Sequence, residues 1–300
     1  MELLFVDLKQ LEQIKRLAII AMFSDDELME TLVLKGGNAL DIIYGISSRA
    51  SLDLDFSIPT EFKPNEIQLI KSKMERGLNR VFDENGYTVF DVKFEERPEN
   101  CDFRLPPFWG GYRLEFKIIE KSKYEQISDD QQNLRVNAVG IGPGSQKKIH
   151  RIEISKWEYC EPKRKEEVEH YTIYVYSPEM IVTEKLRAIC QQMPEYSEFI
   201  GKSHSTARAR DFFDIYTVTE HFMINITTTK NIQLLKDIFI AKQVSLDLIG
   251  KVKDYREYHR PDFAAVESTI KPNIILNDFD FYFDYVVDIC NGLTKALGEV

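Results

Sequence analysis

Between Lys35 and Ser57 the chain reads KGGNALDIIYGISSRASLDLDFS, and no other stretch restricts the fold as much. The apolar run Leu32-Val33-Leu34 leads into the pair Gly36-Gly37, and a short helical segment follows over Ala39–Tyr44. Leu52-Asp53-Leu54-Asp55-Phe56 then alternates apolar and acidic residues. Successive side chains on a strand point to opposite faces, so Asp53 and Asp55 share one face and the apolar residues the other. Two neighbouring carboxylates repel, and a divalent cation between them stabilises both as anions. A glycine pair between strand and helix brings backbone N–H groups close to an anion at a helix N-terminus. Phosphate on one side and metal-holding carboxylates on the other is the layout of phosphoryl or nucleotidyl transfer.

Composition sets wide bounds. Three hundred residues, 43% apolar and 29% charged, suffice for one large domain or two modest ones with a full core. The net charge of −10 disfavours bulk coating of nucleic acid, although a local basic patch can still bind a polyanion. Cys101, Cys160, Cys190 and Cys290 are widely spaced with no C-x-x-C, which points to reduced thiols in a cytoplasmic protein rather than a zinc site. No apolar run reaches the length of a membrane span, and the N-terminus has no signal-peptide pattern.

Periodicity predicts a helix over Asp7–Phe23, then the Lys35–Ser57 segment, then a helix over Pro64–Glu84. Strands are expected over Tyr87–Glu95, Gly110–Lys121, Lys147–Lys156 and Tyr171–Tyr176, with a polar connection of unassigned form over 122–145. Ser177-Pro178 breaks the strand pattern, and five helices are expected afterwards, at 178–193, 205–222, 230–242, 244–259 and 278–297. The reading is α+β: a mixed sheet with flanking helices over 1–177, followed by an all-helical C-terminal domain over 178–300.

Further candidates lie outside the opening motif. Glu153, in Ile152-Glu153-Ile154, faces away from the core side its neighbours define and is a candidate third carboxylate, with Glu115 as the alternative. Lys35 can meet a terminal phosphate or simply end a strand. Val182, Leu186, Ile189 and Met193 form the buried stripe of the 178–193 helix, with Lys185 at its border. Asp211 falls on a largely apolar helix face and Asp214 at its edge, so both need partners, with Lys185 or Arg187 as candidates. Basic residues cluster at Lys147, Lys148, His150 and Arg151, at Lys163, Arg164 and Lys165, and at Lys202, His204, Arg208 and Arg210, a possible path for a polyanion.

K-G-G-x-A-L followed by R-x-S-x-D-h-D-F resembles the DNA polymerase β-like nucleotidyltransferase superfamily, and more narrowly the AbiEii/AbiGii toxins of type IV abortive-infection systems. Glu184-Lys185-Leu186-Arg187-Ala188 is similar to that family's E-K-L-x-A, and Arg208–Tyr216 to its R-x-R/K-D-h-h-D-h-Y. Two positions depart from the pattern: Asn38 stands where Ser or Thr is common, and Glu153 where Asp is usual. The resemblance implies a polymerase β-like fold. It implies metal ligands at Asp53, Asp55 and Glu153, catalytic roles for these and for Lys185 and Asp211, and nucleotide contacts from Lys35, Gly36, Gly37, Asn38, Arg49, Ser51 and Asp214. It also implies Mg²⁺-dependent transfer from an NTP to RNA, at the tRNA 3′ end, in phage defence, restrained by a cognate antitoxin of the winged-helix repressor kind. Transfer to a small molecule or protein, or NTP binding without catalysis, are the competing readings.

Overall fold

A computed structural model of the chain describes residues 2–46, 53–99, 105–141, 146–201, 205–271 and 274–298. Seven strands form one mixed sheet: β1 (Val33–Lys35), β2 (Leu54–Ser57), β3 (Tyr87–Arg97), β4 (Gly111–Glu120), β5 (His150–Ser155), β6 (Arg164–Val168) and β7 (Tyr171–Val175). Their order is β3-β4-β5-β2-β1-β7-β6. The β2–β5 and β1–β7 pairs are parallel and the others antiparallel.

The helices of the first part are α1 (Glu2–Phe23), α2 (Asp26–Thr31), the single turn α3 (Gly36–Asn38), α4 (Ile67–Glu84), α5 (Lys121–Ile127) and α6 (Gln131–Asn137). A π-helical turn, Ala39–Ile43, continues α3. From Pro178 onward the elements are helical: α7 (Pro178–Cys190), α8 (Pro194–Ile200), α9 (Ala209–Phe222), α10 (Thr229–Ala241), α11 (Arg256–His259), α12 (Ala264–Glu267) and α13 (Phe279–Gly298), with 3-10 turns over Leu246–Tyr255 and Arg260–Phe263. This is the expected α+β class. The switch at 177 has a local cause: Ser177 Oγ accepts the Met180 N–H and Pro178 occupies the first turn.

Three differences from the periodicity are seen, and the first two have local reasons. The polar connection folds into α5 and α6, and Asp130 caps α6 by accepting the Asn133 N–H. Arg164–Val168 forms a strand without apolar alternation, because β6 is a sheet edge whose side chains are mostly exposed charges. The stretch expected to be α-helical over 244–259 is largely 3-10.

Strand register sorts the two sheet faces. Leu34, Phe56 and Ile154 lie abreast on β1, β2 and β5 and are fully buried. Phe23 of α1 packs on Phe56 with ring centroids 5.9 Å apart, and α1 and α4 pack together on this side. The next row along, Lys35, Asp55, Glu153 and Arg113, points to the opposite face. Helix α7 is buried at eleven of its thirteen residues and packs against α9 and α10. Its apolar side chains join those of the sheet in one continuous core. The single stripe of Val182, Leu186, Ile189 and Met193 therefore understates its burial: Lys185 and Arg187 are enclosed too.

Replacing Phe56 by Ala removes the ring at the centre of this packing. We expect a loss of about 3–5 kcal/mol in urea unfolding, whereas Leu69→Ala, at a half-exposed position on α4, changes stability by less than about 0.5 kcal/mol.

Candidate active site

The polar sheet face and helices α7 and α9 enclose a cleft of about 1150 Å³. One wall carries Lys35, Gly36, Gly37, Asp53, Asp55 and Glu153; Lys185, Arg208, Arg210 and Asp211 come from the helical side. Residues more than a hundred positions apart thus meet because β1, β2 and β5 are neighbours. Lys35 pairs with Asp55 across the β1–β2 ladder, and Asp55 with Glu153 across β2–β5.

The glycine turn is built around Asp55. Gly36 has φ +72°, a left-handed conformation that glycine adopts without strain. A Cβ at this position would lie 2.8 Å from Asp55 Oδ2, so any side chain would press on the carboxylate. Asn38 is buried, and its side-chain amide donates to the Asp53 carbonyl, fastening the turn to the acidic strand. Arg49 and Ser51 lie outside the described residues.

The Asp55 carboxylate accepts no hydrogen bond and makes no ion pair within 4 Å among the described residues. Burial pushes its pKa up to about 6; Lys35 opposes the rise, while Glu184 and Asp53 add to it. Glu153 is half-buried and accepts from Arg113 Nε at 2.7 Å. Among the described residues no three His, Cys, Asp or Glu side chains converge as a set that could hold a metal ion. Asp53 and Asp55 both line the cleft wall and are acids of the kind a divalent cation takes, whereas Arg113 holds Glu153. Glu115, the alternative acid, accepts from Arg151 at 2.8 Å, and its strand neighbour on β5 is Arg151 rather than Glu153.

Lys35 does not reach out from a strand end. It is buried, and its ammonium donates to Ser155 Oγ at 3.2 Å and Glu184 Oε1 at 3.3 Å, with Glu158 Oε1 at 3.7 Å. Burial alone would lower its pKa, but Glu184 and Glu158 hold it above the ordinary lysine value. Arg187 grips Glu158 with both terminal nitrogens, at 2.7 and 3.3 Å, and Lys242 stands 3.6 Å from the same carboxylate. Burial pulls the Lys242 pKa down to about 8. Burial works against the Glu158 anion, yet Arg187, Lys35 and Lys242 together hold its pKa well below the usual carboxylate range.

Lys185 lies between two acids of α9, at 2.9 Å from Asp211 Oδ1 and 2.7 Å from Asp214 Oδ2. Asp211 and Lys185 line the cleft; Asp214 is almost fully buried and fixes the same ammonium.

Of the basic clusters, Arg208 and Arg210 face the cleft. His150 does not supply positive charge: it is buried against Phe116, and burial lowers its pKa to about 4. Arg151 and Arg164 are paired with Glu115 and Glu179, and Lys163 sits over the Tyr174 ring at 4.1 Å. Lys202 and His204 lie outside the described residues. Cys160, Cys190 and Cys290 are buried and unpaired, and Cys101 lies outside the described residues. Sequence reasoning missed Glu158, Lys242 and Arg113. None belongs to a motif; their only signal is register and packing. Among the described residues no helix is long and apolar enough to cross a membrane.

Two substitutions test the electrostatics. A carboxylate whose pKa is raised on folding costs stability when ionised. The cost is absent below about pH 4, grows through pH 6 and is complete above it. Asp55→Asn is therefore expected to be more stable than the parent by up to about 3 kcal/mol above pH 6 and equal near pH 4, in urea unfolding without divalent cations. Glu158→Gln leaves buried cations uncompensated and should lose about 3–5 kcal/mol at pH 7. Because the Glu158 pKa is depressed, the stabilisation it gives is present above its unfolded value. The deficit should narrow as acid protonates the parent's carboxylate.

Several solved structures align over most of the chain. A candidate nucleotidyltransferase of H. pylori is 16% identical, with 97% of this chain and 96% of that one covered and a TM-score of 0.49. JHP933 from Helicobacter pylori is 17% identical over 96% and 92%, with a TM-score of 0.48. An antigenic nucleotidyltransferase-like protein from Paracoccidioides brasiliensis is 14% identical over 88% and 94%, with a TM-score of 0.38. No curated protein matches the chain. The family model described as nucleotidyl transferase AbiEii toxin, type IV TA system, matches residues 18–285, and with the glycine turn, the acidic strand and the α7 and α9 motifs gathered at one cleft, the chain belongs to that nucleotidyltransferase toxin family.

Proposed function

We propose that this chain transfers a nucleotide from an NTP to an RNA acceptor, the 3′ end of tRNA, and so blocks translation in phage defence until a cognate antitoxin restrains it. The observation that carries the reading is the division of the cleft: Asp53, Asp55 and Glu153 on one wall, Arg208 and Arg210 on the helical side. At about 1150 Å³ the cleft exceeds what one small ligand usually needs, about 300–1000 Å³, leaving room for a second substrate beside the NTP. In a chain of net charge −10, arginines at the cleft are a local site for an RNA backbone.

In this reading Asp53, Asp55 and Glu153 would hold Mg²⁺, whose charge would offset that of the triphosphate and favour ionisation of the attacking hydroxyl. The chain's own groups do the rest. Gly36 and Gly37 would offer backbone N–H groups to a phosphate, with Asn38 fixing the turn, and Arg49 and Ser51 would extend the nucleotide contacts. Lys185 lines the cleft with its ammonium held between Asp211 and Asp214, which balance its charge and fix its position. Lys35 acts through Glu184 and Glu158, keeping β1 beside Asp55. Transfer joins the acceptor hydroxyl oxygen to the α-phosphorus and releases pyrophosphate. The antitoxin is expected to be a winged-helix repressor, and the setting cytoplasmic.

The test incubates purified protein with total tRNA, Mg²⁺ and each labelled NTP in turn. We expect label on tRNA with one NTP and none with Asp55→Ala, on a denaturing gel. Label on no RNA, from protein that still binds NTP, would rule out the RNA acceptor and direct the assay to small molecules and proteins.

A further inference from the structure

We propose that Arg113 is a positioning residue with two stations, one on Glu153 and one on Glu95, and that its hold on Glu153 must be released before that acid can join Asp53 and Asp55 around a divalent cation. The proposal rests on Glu153 being a cation ligand, as set out above.

The charges form a single row across five strands. Register places Glu95 of β3 opposite Arg113 of β4, Arg113 opposite Glu153 of β5, Glu153 opposite Asp55 of β2, and Asp55 opposite Lys35 of β1. Directly opposed residues share a face and stand about 5 Å apart, within reach of long side chains. Arg113 thus has a glutamate on each side. It has chosen Glu153, at 2.7 Å, and draws that carboxylate toward β4. The row's other cation cannot replace it, because Lys35 is engaged by Glu184, Glu158 and Ser155. Asp55 is left without a partner among the described residues. The pairing therefore accounts for three acids sharing a cleft wall without converging.

The lock is weak enough to open. Arg113 and Glu153 are each about one-third exposed, and among the described residues Nε alone donates, so the two-pronged grip available to a guanidinium is not used. The second station exists already. Glu95 accepts from Arg97 at 2.9 Å and from Lys93, and a carboxylate has lone pairs for a further donor. When Glu153 turns to the cation, Arg113 keeps an anion beside it by moving one strand over, so the cation's arrival strands no charge.

The test measures Mn²⁺ binding to the full chain by the electron spin resonance signal of the free ion, without nucleotide, in the parent, Arg113→Met, Arg113→Lys, Glu153→Gln, Asp55→Asn and Arg113→Met/Glu153→Gln. We expect Arg113→Met to tighten Mn²⁺ binding by about three- to tenfold. Arg113→Lys, a point charge without the fork, should fall between it and the parent. Glu153→Gln should weaken binding, and the gain from Arg113→Met should vanish in the double variant. Unchanged or weaker binding in Arg113→Met, with Glu153→Gln still weakening it, overturns the role of Arg113 and leaves the cation-site reading standing. Binding that needs Asp55 but ignores Glu153→Gln overturns the premise that Glu153 is a ligand, and the proposal with it. Glu95→Gln supplies an independent arm: without its second station Arg113 should hold Glu153 longer, loosening Mn²⁺ by about twofold, and no change there removes Glu95 from the device.

Discussion

A lysine buried at the end of a central strand needs anions around it, because an isolated ammonium away from water is far too costly to keep charged. Lys35 obtains them from two directions: Glu158, just after β5, and Glu184, on α7. Glu158 in turn is held by Arg187 and Lys242, from α7 and the end of α10. These enclosed charges link the edge of the glycine turn to the first helices of the C-terminal part. Ion pairs of this kind add little net stability over apolar packing, but removing one member leaves the others unpaired. Their effect is to fix where α7 lies against the sheet, and the cleft is the space that remains between them.

The same constraint separates two classes of charge at the site. Lys35, Glu158, Arg187 and the Lys185–Asp211–Asp214 cluster are satisfied within the fold and set positions. Asp55 is different. The fold places it under a left-handed glycine and beside two other acids without a counter-charge in contact, so burial and repulsion raise its pKa. A group kept in an unfavourable state by its surroundings marks where an external cation would be stabilised most. In the proposed reading the fold's own stability is therefore lowered where a cation would bind.

Much of this was legible from local pattern. Alternation around Asp53 and Asp55, the preceding glycines and the helical spacing of Lys185, Asp211 and Asp214 are short-range features. They identified the acidic strand, the turn and the need of the α9 acids for a cation. Edge strand β6 was not legible, because exposed charges give no alternation. Helices α5 and α6 were also missed, since they carry too few apolar residues to show a period. His150 was misjudged as part of a basic path: nothing in Lys147–Arg151 says that its ring stacks on Phe116 and loses its charge.

The sequence by itself determined the residue types at the site and the side of each element on which they lie, because strand and helix periods are set by backbone geometry. Only the tertiary structure decided which charges meet. Whether Lys35 is a free cation or a buried one, and whether Glu153 serves a cation or Arg113, depends on strand order and register. The partners lie between 40 and 149 residues apart, and no local period reaches that far.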